Sequence, residues 1–374
     1  MSNGACSVKP RRGSSRFRPR TRAGGTSFFR ALQALGCWAG CAAAVAAADP
    51  IKFQAGGDRV VIQPPGKSSR VIVTGFIDDF TGRGLILQTR RGTGAVRYSR
   101  EEILEVSTTQ VEQHALGRKL FGEGRIIEAE RAFKDALEEE DRPWVRRDIL
   151  ASLVKCGLWQ GDYRTAAQHF LSIVESDPET LYFGLIPLAW QDAPPTGQAA
   201  IDARRWLNSE SPTARLIGAS WLWDGDREPS ATRALHELAA GAHPLLQRLA
   251  QTQLWRARLR SGEVTALECQ RWRQFVDDLP AEIRAGPLFL IGCAAAQLHN
   301  DLNAAAAWLW LPFEYPHDRH LAAAAQARAA EVLLRAGNIP AARQQAQETL
   351  LRWADTPAVS QAKAVLDNIA ADDS

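Results

Sequence analysis

Residues that could carry catalysis occur in this sequence, but none completes a recognised catalytic motif. His236-Glu237 begins the H-E-x-x-H pattern of a zinc site, yet Ala240 replaces the second histidine. Cys156 and His169 could pair as a nucleophile and its base, but helical spacing places them on opposite helices of one hairpin. The sequence also lacks the G-x-S-x-G, P-loop and G-x-G-x-x-G patterns. We therefore predict that the protein is not an enzyme.

One stretch near the C-terminus concentrates the side chains that bind metal ions. It contains three histidines and three acids: His299, Asp301, Glu314, His317, Asp318 and His320. Such a set could bind zinc. These residues fall around expected helix ends, however, where the same side chains cap helices by hydrogen bonding to free backbone groups. We predict no metal site and no cofactor.

From about residue 110 the apolar residues recur at helical spacing, and the pattern repeats. The first unit has Leu116, Gly117, Leu120, Ala129, Phe133 and Ala136, and the second has Leu150, Leu153, Ala166, Phe170 and Ile173. This pattern resembles the tetratricopeptide repeat (TPR), in which a small residue of helix A lets helix B approach closely. The resemblance covers residues 110–180 and 286–370, although Val154 replaces the small residue of the second unit.

The middle of the helical region, residues 181–285, departs from this pattern. Two segments that begin at Pro212 and Pro244 align with each other, and proline is favourable at the first position of a helix. They resemble HEAT-type helical hairpins, which are stable only when they stack on neighbours. Many of the twelve tryptophans lie in helical stretches, where they would pack between hairpins or line a binding groove. The predicted fold class is mainly α: a right-handed α-solenoid of TPR-like hairpins, preceded by a small antiparallel β-barrel.

Residues 51–108 have a period near two, which predicts short strands separated by glycine-rich turns. The expected strands are Arg59–Gln63, Val71–Asp78, Leu85–Thr89, Ala95–Tyr98 and Ile103–Ser107. Their tight spacing and a bend at Gly75 resemble the SH3-like and Sm-like barrels. The Sm-like resemblance raises RNA binding through Arg90, Arg91 and Arg97. We expect no nucleic-acid partner, because no aromatic platform accompanies these arginines.

Residues 1–48 have the composition of a signal peptide or an N-terminal anchor. They carry Lys9 and seven arginines without an acid, and their last eighteen residues are uncharged. Removing these eight charges from the net +3 leaves −5 for residues 49–374, so the body is mildly acidic. We predict export to the periplasm, cell envelope or extracellular space. An uncleaved anchor that tethers the protein to a membrane, or lipidation at Cys37 or Cys41, is the alternative.

The TPR resemblance also implies a binding surface, because helix A lines the concave face of such an array. The positions that usually contact ligand in the family correspond to His114, Arg118 and Phe121 in the first unit and to Lys155 and Trp159 in the second. They would form a small basic patch beside two aromatic rings, which suits an acidic or C-terminal peptide with an apolar anchor. We expect a non-enzymatic scaffold for protein–protein or protein–peptide interaction. The alternative is an accessory subunit or cryptic hydrolase of the cell envelope.

Overall fold

The computed structural model describes residues 57–89, 94–191, 195–224 and 228–372. The chain divides after Ala55, and all of the described residues belong to the second unit, Gly56–Ser374. The predicted leader, residues 1–48, and the arginines at 90 and 91 lie outside the described residues. Most described residues are helical, with one small sheet at the N-terminal side, so the mainly α prediction is confirmed.

The described part of the chain begins with five strands. They are β1 (Asp58–Ile62), β2 (Val71–Thr81), β3 (Gly84–Thr89), β4 (Ala95–Ser99) and β5 (Ile103–Ser107). They form one antiparallel sheet in the order β4-β3-β2-β1-β5. The predicted strands are confirmed to within three residues at each end. A short 3-10 turn, Arg100–Glu102, connects β4 to β5.

Gly75 is needed where β2 lies against β3. A Cβ atom at this position would lie 2.2 Å from the backbone oxygen of Gln88, so any side chain would push the two strands apart. The register of this pair shifts between Ile77 and Asp79. Such a bulge bends a strand locally, close to where the sequence predicts the bend.

Fourteen α-helices follow among the described residues. They are α1 (Glu112–Gly122), α2 (Ile126–Glu139), α3 (Pro143–Gln160), α4 (Tyr163–Ser176), α5 (Gly197–Leu207), α6 (Pro212–Leu222), α7 (Pro229–Ala239), α8 (Pro244–Ser261), α9 (Ala266–Asp277), α10 (Ala285–Gln297), α11 (Asp301–Glu314), α12 (Arg319–Arg335), α13 (Ile339–Arg352) and α14 (Ala358–Asp372). Pro212 and Pro244 each occupy the first position of a helix, as predicted.

Four pairs of consecutive helices share one type of connection: α1 with α2, α3 with α4, α10 with α11, and α12 with α13. The turns pass through Gly124, Gly161, His299 and Gly337, whose φ angles are 77°, 74°, 54° and 76°. In each turn the next residue donates its N–H to the carbonyl five residues earlier, as Asp162 does to Gly157 at 2.9 Å. Glycine suits this left-handed conformation because it has no Cβ.

The sheet and the first helices share one hydrophobic core. Val60, Leu85 and Leu87 of the strands belong to the same buried cluster as Phe133 of α2 and Ile149 of α3. Each is at most 1% exposed. The boundary that the sequence suggests near residue 108 therefore does not divide the hydrophobic core.

Helices far apart in sequence also meet. The hydroxyl group of Tyr163, at the start of α4, donates to Asp318 Oδ1 at 3.0 Å, across 155 positions of sequence. The Arg319 guanidinium lies 5.2 Å from the ring centre of Trp159 in α3. A linear solenoid makes contacts only between neighbouring units. In this structure the turn between α3 and α4 packs directly against the start of α12.

Residues 187–191 lie against α6 and α8 and are held there by side chains. The Ser220 hydroxyl accepts from the Ala189 N–H at 2.9 Å, and Gln253 Nε2 donates to the Ala189 carbonyl at 3.1 Å. Trp221 Nε1 donates to the Pro187 carbonyl at 2.7 Å. These donors and acceptors of α6 and α8 therefore bind the chain's own backbone.

Candidate binding sites

The five residues that the sequence places in one binding patch lie in different surroundings. Arg118 is exposed on α1, whereas His114 on the same helix is fully buried. The Nε2 atom of His114 lies 3.4 Å from Asp148 Oδ2 of α3. The ring of His114 is enclosed, and neither of its nitrogens makes a hydrogen bond with the described residues.

Phe121, Lys155 and Trp159 lie toward the other end of the same helices. The rings of Phe121 and Trp159 meet edge to face at 6.1 Å, with the Arg319 guanidinium against Trp159. Lys155 is partly buried, and its charge acts on His317. This aromatic pair therefore lies next to the start of α12, through the contact of Arg319 with Trp159.

A first cavity of about 450 Å³ lies where the sheet meets the helices, and we call it the junction cavity. Its lining residues come from β2, β5, the connection after β5, α1, α3 and the segment after α4: Phe80, Val106, Ser107, Thr108, Gln110, Arg118, Trp144, Asp148 and Tyr182. Its volume lies within the range of ligand pockets, and three aromatic rings supply apolar surface. Arg118 is the cationic group of this lining.

Two donors of the junction cavity have no acceptor among the described residues. The Arg118 guanidinium makes no hydrogen bond or ion pair with them. The indole Nε1–H of Trp144 is buried and lacks a hydrogen-bond acceptor there as well. A buried donor without an acceptor is unfavourable, so the Trp144 N–H favours a ligand that supplies an oxygen acceptor. The Arg118 guanidinium is exposed and adds a positive charge to the same lining.

The carboxylate of the junction cavity has a neighbouring side chain at each oxygen. Asp148 Oδ1 accepts from the Tyr182 hydroxyl at 3.1 Å, and Oδ2 faces His114. Burial disfavours the charged form of Asp148, but His114, Tyr182 and Arg118 outweigh it, so its pKa is lowered. Burial and the same carboxylate raise the pKa of Tyr182. Asp148 therefore stays ionised and Tyr182 stays a donor at neutral pH.

A second cavity of about 530 Å³ lies where α12 returns to the N-terminal helices, and we call it the central cavity. Its lining comes from widely separated parts of the chain: Gly161, Asp162, Tyr163, Arg164, Leu188, Ala189, Trp190, Gln191, Pro195, Ala199, Trp221, Asp318, His320, Leu321 and Pro357. Apolar and aromatic side chains dominate this set. It is also of a size that suits a small ligand.

Among the charged groups of the central cavity, Arg164 has an ion-pair partner within the described residues and Asp318 does not. Arg164 Nε donates to Asp202 Oδ2 at 2.6 Å, which neutralises the one arginine of the lining. Asp318 Oδ1 accepts from the Leu321 N–H at 3.1 Å and from Tyr163. Burial raises the pKa of Asp318 to about 6, although both hydrogen bonds oppose the shift. Burial and Arg319 lower the pKa of His320, so its imidazole is neutral at pH 7.

The chemistry-bearing residues of the sequence are dispersed. Among the described residues, no group of three or more His, Cys, Asp or Glu side chains could hold a metal ion. Asp301, for example, pairs with Arg335. Burial raises the pKa of Cys156 to about 12, so this thiol is a poor nucleophile. None of the described helices combines the length and apolar composition that crossing a bilayer requires.

Sequence reasoning found Arg118 but missed the two features that make its surroundings a cavity. Phe80 and Trp144 line it from the sheet and from the start of α3, and no pattern within one repeat links them. The central cavity was missed altogether, because its walls meet through contacts between residues far apart in sequence, such as Tyr163 and Asp318. Asp318 itself was noticed as an acid at a helix end.

Comparison with known proteins adds no relative: no family model, no curated protein and no solved structure matches this chain.

Proposed function

We propose that this protein is a non-enzymatic scaffold that binds an acidic peptide segment of another protein at the junction cavity. The observation that carries the proposal is the buried Trp144 N–H, which has no acceptor among the described residues, in a cavity that the Arg118 guanidinium and aromatic side chains also line. An acidic side chain would accept from these donors, and a neighbouring apolar side chain would fill the cavity. Charge-assisted hydrogen bonds of this kind are roughly twice as strong as neutral ones.

We propose that the chain folds as a right-handed solenoid of TPR-like hairpins preceded by a small β-barrel. Four recurring turns support the repeat interpretation, and the strand order supports a barrel-like module. In this arrangement Arg118 occupies a ligand-contacting position of the first helix A. We also propose that the protein is exported, because eight basic residues precede an uncharged stretch in residues 1–48. The N-terminal sequence of the native protein tests export, and an intact leader on a cytosolic protein would contradict it.

A peptide library tests the binding function directly. Each member carries one aromatic or aliphatic anchor next to Asp or Glu, and a matched member carries Asn or Gln instead. We expect the full-length protein to prefer the acidic members by about tenfold, since the ion pair and hydrogen bonds are lost with the amides. Binding is measured by fluorescence anisotropy.

Two substitutions on α1 distinguish a specific contribution of Arg118 to peptide binding from a general effect of the protein's net charge. Arg118→Glu should remove the preference for acidic peptides with only a small decrease in the unfolding temperature, because the side chain is exposed although its charge acts on Asp148. Lys119→Glu is the matched control: its side chain is 73% exposed on the same helix but does not line the cavity. Equal loss in both variants, or no selection of acidic peptides by the wild type, would contradict the proposal.

A further inference from the structure

The central cavity contains one acceptor that its surroundings leave open. Both hydrogen bonds to the Asp318 carboxylate, from Tyr163 and from the Leu321 N–H, end on Oδ1. Within the described residues no hydrogen bond reaches Oδ2, and no arginine or lysine forms an ion pair with this carboxylate. A partly buried carboxylate without a countercharge is unfavourable, because its lost hydration is only partly replaced.

The rest of the lining is suited to a cationic ligand. Trp190, Trp221 and Tyr163 present aromatic rings, and Leu188 and Leu321 add aliphatic surface. Aromatic faces attract cations, and this attraction is strengthened when water is excluded. The Trp221 N–H is already used by the Pro187 carbonyl, so this ring offers apolar surface rather than a donor.

Other charges in the lining do not reverse this preference. Arg164 is held by Asp202, and His320 is neutral at pH 7 because its pKa is lowered. Asp162 also lines the cavity and uses Oδ1 to cap α4 through the Thr165 N–H at 3.0 Å. The charged groups of the lining thus sum to a negative potential. An anionic ligand would be repelled.

We propose that the central cavity binds a small organic cation: a primary amine carried on a flat aromatic or apolar body. The ammonium group donates to Asp318 Oδ2, and the apolar body lies between Trp190 and Trp221. This site is separate from the junction cavity and does not depend on peptide binding there. The central cavity is proposed to bind a cation, whereas the junction cavity is proposed to bind an acidic segment.

Three probes that share one ring system test the charge preference. They are tryptamine, 3-ethylindole and indole-3-propionate, titrated into the full-length protein and followed by NMR line broadening and calorimetry. We expect tryptamine to bind at least about tenfold more tightly than 3-ethylindole, since an ion-paired hydrogen bond adds this much. Indole-3-propionate should not bind. Equal affinity for all three probes, or no binding of tryptamine at millimolar concentration, would overturn the proposal.

Three variants locate the site. Asp318→Asn keeps an acceptor for Tyr163 and for the Leu321 N–H, so the fold is preserved while the charge is removed. We expect it to lower tryptamine affinity to that of 3-ethylindole. Ala199→Phe fills the cavity from α5 and should abolish binding of both probes. Glu268→Gln is the control, because it removes a capping carboxylate from α9, outside the cavity. Unchanged tryptamine affinity in Asp318→Asn or Ala199→Phe would overturn the assignment.

Discussion

The junction cavity and the central cavity differ in both origin and charge. The first is formed by elements between β2 and the segment after α4, whereas the second joins the α3–α4 turn to residues beyond position 317. Donors are left open in the first, on Arg118 and Trp144, and an acceptor is left open in the second, on Asp318. Sequence reasoning reached one residue of the first cavity, Arg118, because it lies within a repeat unit. It did not predict the second cavity, which depends on a return of the chain.

The largest expected effect tests whether the sheet is part of the wall of the junction cavity. Leu87 is fully buried in the core that β3 shares with α2, whereas Leu104 of β5 is 47% exposed. We expect Leu87→Ala to lower the free energy of unfolding by about 3 kcal/mol, because a cavity remains in the core. The matched Leu104→Ala should change it by less than about 0.5 kcal/mol.

Hydrogen exchange shows where the Leu87→Ala effect appears. Because the core is shared, amides of α2 should lose protection together with those of the sheet. If only the sheet is affected, the two form independent domains, and the junction cavity lies between separate bodies. Chemical denaturation followed by circular dichroism provides the free energies for both variants.

A second effect tests the return of the chain at the central cavity. Gly161 and Gly124 occupy the same turn position with φ near 75°. A Cβ on Gly161 would lie 2.5 Å from Nε2 of His320, whereas a Cβ on Gly124 would have no atom within 4 Å. We expect Gly161→Ala to cost about 2 kcal/mol and Gly124→Ala about 1 kcal/mol, since only the backbone strain is common to both.

The excess cost of Gly161→Ala should disappear when His320 is also replaced by alanine. This double-mutant comparison isolates the contact, because the backbone strain is present in both backgrounds. Thermal unfolding is a sufficient readout. Equal costs at Gly161 and Gly124 would show that α12 does not pack on this turn in solution.

The third and smallest effect concerns pH. Burial raises the pKa of Asp318 from 3.8 to about 6, so the folded protein binds this proton more tightly than the unfolded chain. In the wild type, protonated Asp318 adds to the free energy of unfolding. This contribution is fully present below about pH 4 and is lost as the pH rises to about 6. The side chain introduced by Asp318→Asn does not titrate. The free energy of unfolding of this variant relative to wild type should therefore increase between about pH 4 and pH 6, by about 1.5 kcal/mol after allowance for partial exposure.

The quantity to measure is the difference in the free energy of unfolding between wild type and Asp318→Asn. Burial and Lys155 lower the pKa of the neighbouring His317 to about 4, which makes both proteins more stable as the pH rises. This contribution cancels in the comparison. A stability difference that is constant from pH 4 to pH 7 would show that Asp318 is hydrated and that the central cavity does not bury its charge.

Local sequence patterns predicted the strands and the helix starts at Pro212 and Pro244 because each depends on residues close together in the chain. Gly124, Gly161 and Gly337 mark turns that only a short stretch of sequence decides. The burial of His114 was not predicted, since it depends on Asp148 and Phe133 from two other helices. The position of residues 187–191 against α6 and α8 was also not predicted. It depends on Ser220 and Gln253, which come from two helices and both bind the backbone of Ala189.

The opposite charge preference of the two cavities is tested most directly by titrating two probes into three proteins. The probes are tryptamine and the best acidic peptide from the library, and the proteins are wild type, Arg118→Glu and Asp318→Asn, all full length. We predict that Arg118→Glu loses the peptide and keeps tryptamine, whereas Asp318→Asn loses tryptamine and keeps the peptide. Loss of both probes in one variant, or retention of both in each, would contradict two separate sites of opposite charge.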